Sequence, residues 1–324
     1  MNLTEHVVSY SLEVNTRCLK FLAECRVPGA DTRAGSDLAP APPKAAGAQD
    51  SCSPNTVYTE SVLARDSRRL TSLWHLAMPA AAPATFEEIR RHYKELRGAA
   101  HELSLAPANR ALALRLANLA TEEADAATMQ VLAQRMPAPP ELPWIDLCAV
   151  FARDSALWRD PQAFQVLPNS HLLDRLTRVY RKGHRIVGLL LKAPDGAMHQ
   201  RKDLIKLERL VRLTYHQMEL LRAGLSEKGR SQLWFLEKLS EAVRMRLHME
   251  HLLQALEDDP DGGSLDVGST RLYVASHRER MNRRIEKLGQ GAFGPKPKRM
   301  RARLDAAVAH LSIADVDATE ERVA

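Results

Sequence analysis

Helical periodicity constrains this chain most, and it is sharpest in Lys202–Glu219, KDLIKLERLVRLTYHQME. At ~100° per residue, Leu204, Leu207, Val211, Thr214 and Met218 fall along one side. Lys202, Lys206, Arg209 and Arg212 fall along the opposite side. The apolar stripe demands a core, and the basic stripe must face water or an anion. Alone, such a stripe is an ordinary solvated face. A second helix of the same kind changes the weighing. Phe86–Leu103 puts Arg90, Lys94 and Arg97 at i, i+4 and i+7, with Arg91 beside them. Phe86, Ile89, Tyr93, Leu96 and Ala100 form its neighbouring apolar strip. A third run sets Arg178, Arg181, Lys182 and Arg185 on one face of a flanking helix. Basic-faced helices in two halves of one chain point to a shared anion site.

The same period recurs almost everywhere, and strand-like alternation of β-branched residues is hard to find, so the chain reads as all-α. Residues 1–26 form one N-terminal helix, and 27–56, rich in Pro, Ala, Gly, Ser and Asp, read as a disordered linker. Residues 57–310 form the helical domain, and 311–324 a C-terminal tail. Thr85, with Glu88 three residues on, forms a candidate capping box for the first basic helix. A long helix from Asn109 to Met136 follows, and Pro137, Pro139, Pro140 and Pro143 break the chain after it. Helices are then expected over 144–158, 170–192, 202–219, 230–257, 269–289 and 298–311. The order helix, basic-faced helix, long amphipathic helix occurs in about 57–160 and again in about 166–310. That order predicts two pseudo-symmetric helical bundle halves.

Charge narrows the partner. The net charge is +6 and the pI about 9.2, which favours a polyanion. Residues 271–303 carry 11 Lys/Arg against Glu279 and Glu286, so the remainder is mildly acidic. Aromatic residues are only 5%, which argues against gripping single strands by base stacking. Cys18, Cys25, Cys52 and Cys148 show neither a CxxC pair nor zinc spacing, and reduced thiols in the cytoplasm are expected. His248 and His251 are spaced i, i+3 but lack an acidic or cysteine partner, so no metal and no cofactor is expected. The N-terminus lacks the basic and apolar regions of a signal peptide, and no stretch suits a membrane span. No phosphate-cradling loop, nucleophile elbow, HExxH or calcium loop is present. The expectation is therefore a binding protein and not an enzyme.

The C-terminal region adds a resemblance. His277-Arg278-Glu279-Arg280 leads to Lys287-Leu288-Gly289, then Ala292-Phe293-Gly294-Pro295-Lys296-Pro297-Lys298 and Arg303-Leu304. Together with Arg209, Arg212 and Gln217-Met218-Glu219-Leu220-Leu221, this resembles the conserved histidine α-helical domain (CHAD) family. Arg90-Arg91, Lys94, Arg97, Asn109-Arg110 and Asp125-Ala126 resemble its first half, so the likeness covers about 57–310. The histidine that names the family falls on Glu87 and Ile205, with Glu208 where a basic residue is usual. The resemblance implies noncatalytic binding of inorganic polyphosphate in a basic channel between two helical halves. A linear polyanion without bases needs rows of Lys and Arg on rigid helices. The candidate ligands are Arg90, Arg91, Lys94, Arg97, Arg178, Arg181, Lys182, Lys202, Lys206, Arg209, Arg212, Lys296, Lys298 and Arg299. Alternatives are a nonspecific nucleic-acid binder, or an interaction protein docking its N-terminal helix on a partner or polyphosphate granule. None of these involves a membrane.

Overall fold

A computed structural model describes residues 2–24, 54–136, 144–192, 201–257 and 267–323. The fold is all-α. Ten α-helices occur among the described residues: α1 Leu3–Glu24, α2 Pro54–Ala77, α3 Phe86–Leu119, α4 Glu123–Arg135 and α5 Trp144–Arg159. The others are α6 Asn169–Leu190, α7 Arg201–Glu219, α8 Glu227–Glu257, α9 Val267–Phe293 and α10 Pro297–Val323. Most of the linker (27–56), the prolines at 137–143 and the turns after Lys192 and Glu257 lie outside the described residues. So do Cys25 and Cys52.

The helix expected to anchor the chain buries the side its periodicity assigned to the core. Leu204, Leu207, Val211, Thr214 and Met218 of α7 are fully enclosed. At about 1.5–3 kcal/mol for each large apolar side chain, such a stripe fixes the rotation of the helix. Its partners are α2, α6 and α8. One continuous apolar core joins Leu70, Leu73 and Trp74 of α2 to Leu172 and Tyr180 of α6, Val211 of α7, and Leu236 of α8. A smaller cluster gathers the end of α3 (Leu112, Leu116), α4 (Met129, Leu132), the end of α8 (Leu252) and the start of α9 (Val274).

The N-terminal helix, which the sequence sets apart, is docked into the main core through Leu3, Val7, Val14, Cys18 and Leu22. Its polar side chains are also engaged. Asn15 donates to the Asp154 carboxylate at 2.7 Å, and His6 donates to the Leu220 carbonyl at 2.9 Å. Asp154 also accepts from the Trp74 indole at 2.6 Å and from His92 at 2.8 Å, so one buried carboxylate ties α1, α2, α3 and α5.

Two expectations about α3 need correction. Thr85 does not form the capping box: its backbone is helical, and its hydroxyl donates to the carbonyls of Ala82 (3.2 Å) and Ala163 (3.3 Å). The expected break before Asn109 is also absent, because α3 runs through Pro107 to Leu119. A proline costs one hydrogen bond and some bending. The packing of Leu112 and Leu116 beyond it keeps the helix going. The break comes instead at Ala120 and Glu122, both with extended backbone, which separates α4 from the helix expected over 109–136.

The C-terminal segment carrying the resemblance is largely core. Phe293 is buried against Tyr180, with ring centroids 5.2 Å apart. A Cβ at Gly183 would collide with its ring, so α6 approaches the end of α9 only because residue 183 has none. Gln232 of α8 donates to the Ala292 carbonyl at 2.8 Å and to the Tyr180 hydroxyl at 3.2 Å.

Candidate functional site

A network of paired charges lies where α2 meets α7. Arg69 donates to Glu219 at 2.8 and 3.0 Å and to Asp66 at 2.8 Å, all three being largely buried. Burial alone would raise the Glu219 carboxyl. The His216 hydrogen bond and Arg69 outweigh it and hold the group down at about 2. Burial pushes His216 down to about 4, so near neutrality its ring is uncharged and Arg69 is the cation that balances Glu219. Every charge here has a partner.

Beside that network the pattern reverses. A cavity of about 670 Å³ opens between α2, α3, α7 and α8. Its wall carries Arg68, Lys94, Arg97, Arg201, Arg209, Arg212 and Arg244, with His101, His248 and His251, against a single carboxylate, Glu208. Glu208 lies 3.3 Å from the Arg212 Nε, but the angle leaves that buried N–H without a hydrogen bond. The buried Nε of Arg244 likewise has no acceptor among the described residues. A buried N–H left unpaired costs on the order of 1–3 kcal/mol, which an acceptor oxygen would recover. Burial first, then Arg244 and Arg212, push the Arg68 guanidinium down to about 9, with Glu208 opposing them. His248 is pushed down to about 4 by burial, Arg244, His251 and Arg68. In both groups burial is the larger cause and the neighbouring arginines add to it.

Two further cavities adjoin this one. The second, about 640 Å³, shares Arg209 and Leu213 with the first and is lined by His75, Arg175, Arg178, Lys182, Arg185 and Lys206. Its one carboxylate, Asp203, is 3.4 Å from Lys206. The Arg175 Nε is buried and unpartnered, and burial together with Arg178 lowers that guanidinium. Burial, Arg175, Arg209 and Lys182 push His75 down to about 4. The third cavity, about 660 Å³ between α6 and α10, shares Arg178 and adds Arg181 and Lys298. It is less one-sided, because Arg301 is paired with Asp174 and Asp305. Arg209 and Leu213 link the first cavity to the second and Arg178 the second to the third, a row of cavities, or furrow, along α7 and α6.

Of the residues singled out in the sequence, Lys94, Arg97, Arg209 and Arg212 meet in the first cavity. Arg178, Lys182, Lys206 and Arg209 meet in the second, and Arg178, Arg181 and Lys298 in the third. Arg90 and Arg91 lie outside all three; both are exposed, and Arg90 is 3.4 Å from Glu87. Lys202, Lys296 and Arg299 are exposed and also line none of them. Missed were Arg68, Arg175, Arg201 and Arg244. The Arg68-Arg69 pair within the otherwise buried run of α2 was the one available signal, since two adjacent arginines cannot both face a core. Ile205 lines the first cavity and Glu87 does not.

Among the described residues, no group of three His, Cys, Asp or Glu is placed to hold a metal ion. No helix among them is long and apolar enough to cross a membrane. Cys18 and Cys148 are free thiols, Cys18 buried in the core and Cys148 exposed. No family model, curated protein or solved structure matches the chain.

Proposed function

We propose that this protein binds inorganic polyphosphate, without turning it over, along the furrow between α2–α3, α6 and α7–α8. The observation that carries the reading is the first cavity: seven Lys/Arg side chains line it against one carboxylate, and two buried guanidinium N–H groups have no acceptor among the described residues. Uncompensated cations held on rigid helices cost stability unless an anion completes them. Arg offers planar two-donor contacts to phosphate oxygens, and Lys94, Lys182 and Lys206 add adaptable point charge. The extension of the furrow through Arg209 and Arg178 suits a linear ligand better than a compact one. The resemblance to the CHAD family in 57–310 points the same way. Hydrolysis would need carboxylates to gather metal ions beside the phosphate. Glu208 and Asp203, the carboxylates of the first two cavities, each lie beside a furrow cation.

The test is a binding titration with long-chain polyphosphate, duplex DNA and single-stranded RNA at matched phosphate and about 150 mM salt. Submicromolar binding that strengthens with phosphate chain length and exceeds both nucleic acids supports the proposal. Equal binding of all three identifies a nonspecific basic surface, and no binding directs the search to protein partners.

A further inference from the structure

The furrow contains more than permanent cations. His248 and His251 of α8 stand in its first cavity with His101 of α3, and His75 stands in its second. Cations from two helices surround His248 and His75, and one cation faces His251. Around His248 are Arg244 and His251 of α8, Arg68 of α2 and, at 2.6 Å, the Asn109 side-chain oxygen of α3. His251 faces Arg201 of α7, 3.5 Å away, with Glu250 as its acidic neighbour. His75 faces Arg175 and Lys182 of α6 and Arg209 of α7, and Gln217 of α7 donates to its Nδ1 at 3.3 Å.

This environment fixes the protonation of the three rings. Burial and neighbouring cations hold all three rings below the ordinary imidazole value, so near neutrality they are uncharged. A chain of phosphates lying among the same arginines reverses the sign of the local field. Protonation would then turn the acceptor nitrogen of each ring into a donor as well. At His248, Nδ1 already donates to Asn109, so the nitrogen gaining a proton is Nε2. At His75 a proton on Nδ1 requires the Gln217 amide to turn its oxygen toward the ring. That turn gives the buried Gln217 oxygen a donor but breaks the amide's 3.2 Å hydrogen bond to the Ser72 carbonyl, which makes protonation at His75 costlier.

Resting on the polyphosphate reading, we propose that the furrow takes up protons at His248, His251 and His75 as it binds its polyanion, so that acidification tightens binding. By linkage, the affinity of a ligand whose binding takes up n protons rises about 10ⁿ-fold per pH unit of acidification. Three histidines that titrate fully set a ceiling of about 1000-fold per unit. Partial titration between pH 8 and 5.5 leaves on the order of 10- to 100-fold across the range. That window lies above the ordinary carboxylate range.

The experiment uses the full chain and long-chain polyphosphate, whose few terminal phosphates contribute little titration. Affinity is measured from pH 8 to 5.5 at constant ionic strength. Calorimetry at pH 6.5 in two buffers of different ionisation enthalpy counts protons directly. Uptake of one to three protons, with affinity rising as pH falls, supports the proposal. The His75→Gln/His248→Gln/His251→Gln variant, shown folded by its melting transition, should lose most of the pH slope relative to its own affinity at pH 8. Tight binding with no proton uptake overturns the coupling and leaves the furrow reading intact. A full slope retained in the variant overturns its assignment to these histidines. Absence of binding at every pH overturns the furrow reading and this proposal together.

Discussion

Replacing Arg68 with methionine should make the empty protein more stable, although it removes a charged side chain from a partly enclosed site. The Arg68 guanidinium makes no hydrogen bond or ion pair with the described residues, and it shares its cavity with Arg244 and Arg212, which Glu208 only partly opposes. Burial and those neighbours push its guanidinium down to about 9. At ~1.4 kcal/mol per pH unit, that drop sets an upper bound on the order of 4–5 kcal/mol. Solvent screening and relaxation around a side chain that is not fully enclosed leave about 1–2 kcal/mol. Methionine retains the apolar stem, so little packing is lost. For a chain of this size the gain corresponds to roughly 2–5 °C in melting temperature. Calorimetry at low ionic strength reads it, and the difference should shrink at high salt as the repulsion is screened. Polyphosphate should then raise the melting temperature of Arg68→Met less than that of the wild type. A variant melting more than 2 °C below the wild type at low salt would refute the claim that the cavity holds uncompensated charge.

Other perturbations separate the paired network from the unpaired furrow. Arg69→Met leaves the buried Glu219 carboxylate without its cation, while Asp66 keeps Arg17 at 3.4 Å, and should cost about 3–5 kcal/mol in urea unfolding; a loss under 1 kcal/mol would contradict the pairing. Gly224→Ala places a Cβ against the Ala307 carbonyl and should cost about 1–3 kcal/mol by forcing α10 away, measured as a lower urea midpoint. The folded values of His75, His216 and His248, each held near 4, lie below the ordinary imidazole value of 6.5. Their stabilisation is therefore fully present above about pH 6.5 and is lost as pH falls toward 4. Glu219, held at about 2, adds a loss between about 4.5 and 2. The unfolding midpoint of the free protein should accordingly decline from pH 7 to 4, and a midpoint that rises would be inconsistent.

The fold was legible where one periodicity governed a helix from end to end. In α7 every residue of the apolar stripe is buried, and α5 and α6 lie within a few residues of their expected bounds. Helix α3 was harder, since Pro107 is a local signal for a break and the packing that overrides it comes from α4 and α8, distant in sequence. The docking of α1 was hidden for a similar reason. The linker composition separates it from the domain, while its burial depends on Phe151, Asp154 and Leu220. At the site, periodicity named the basic stripes of α6 and α7 but could not say how far along each the furrow extends. Arg90 and Arg91 therefore fall outside it, one turn before Lys94. Arg68, Arg175 and Arg244 were illegible because each sits on a helix surface that periodicity assigns partly to the core. Only the crossing of the helices turns Arg68 and Arg244 toward the first cavity and Arg175 toward the second.

The salt dependence of polyphosphate binding tests the furrow most directly. For flexible single strands the slope of log K against log salt is about −0.7 per neutralised phosphate. Replacing Arg68, Arg209, Arg212 and Arg244 with glutamine should reduce the magnitude of that slope by about 3 and weaken binding. Replacing Arg280, Arg283, Arg284 and Lys287, exposed on α9 and outside the three cavities, should leave it nearly unchanged. Equal reductions in the two variants would contradict a furrow site and assign the binding to the basic surface as a whole.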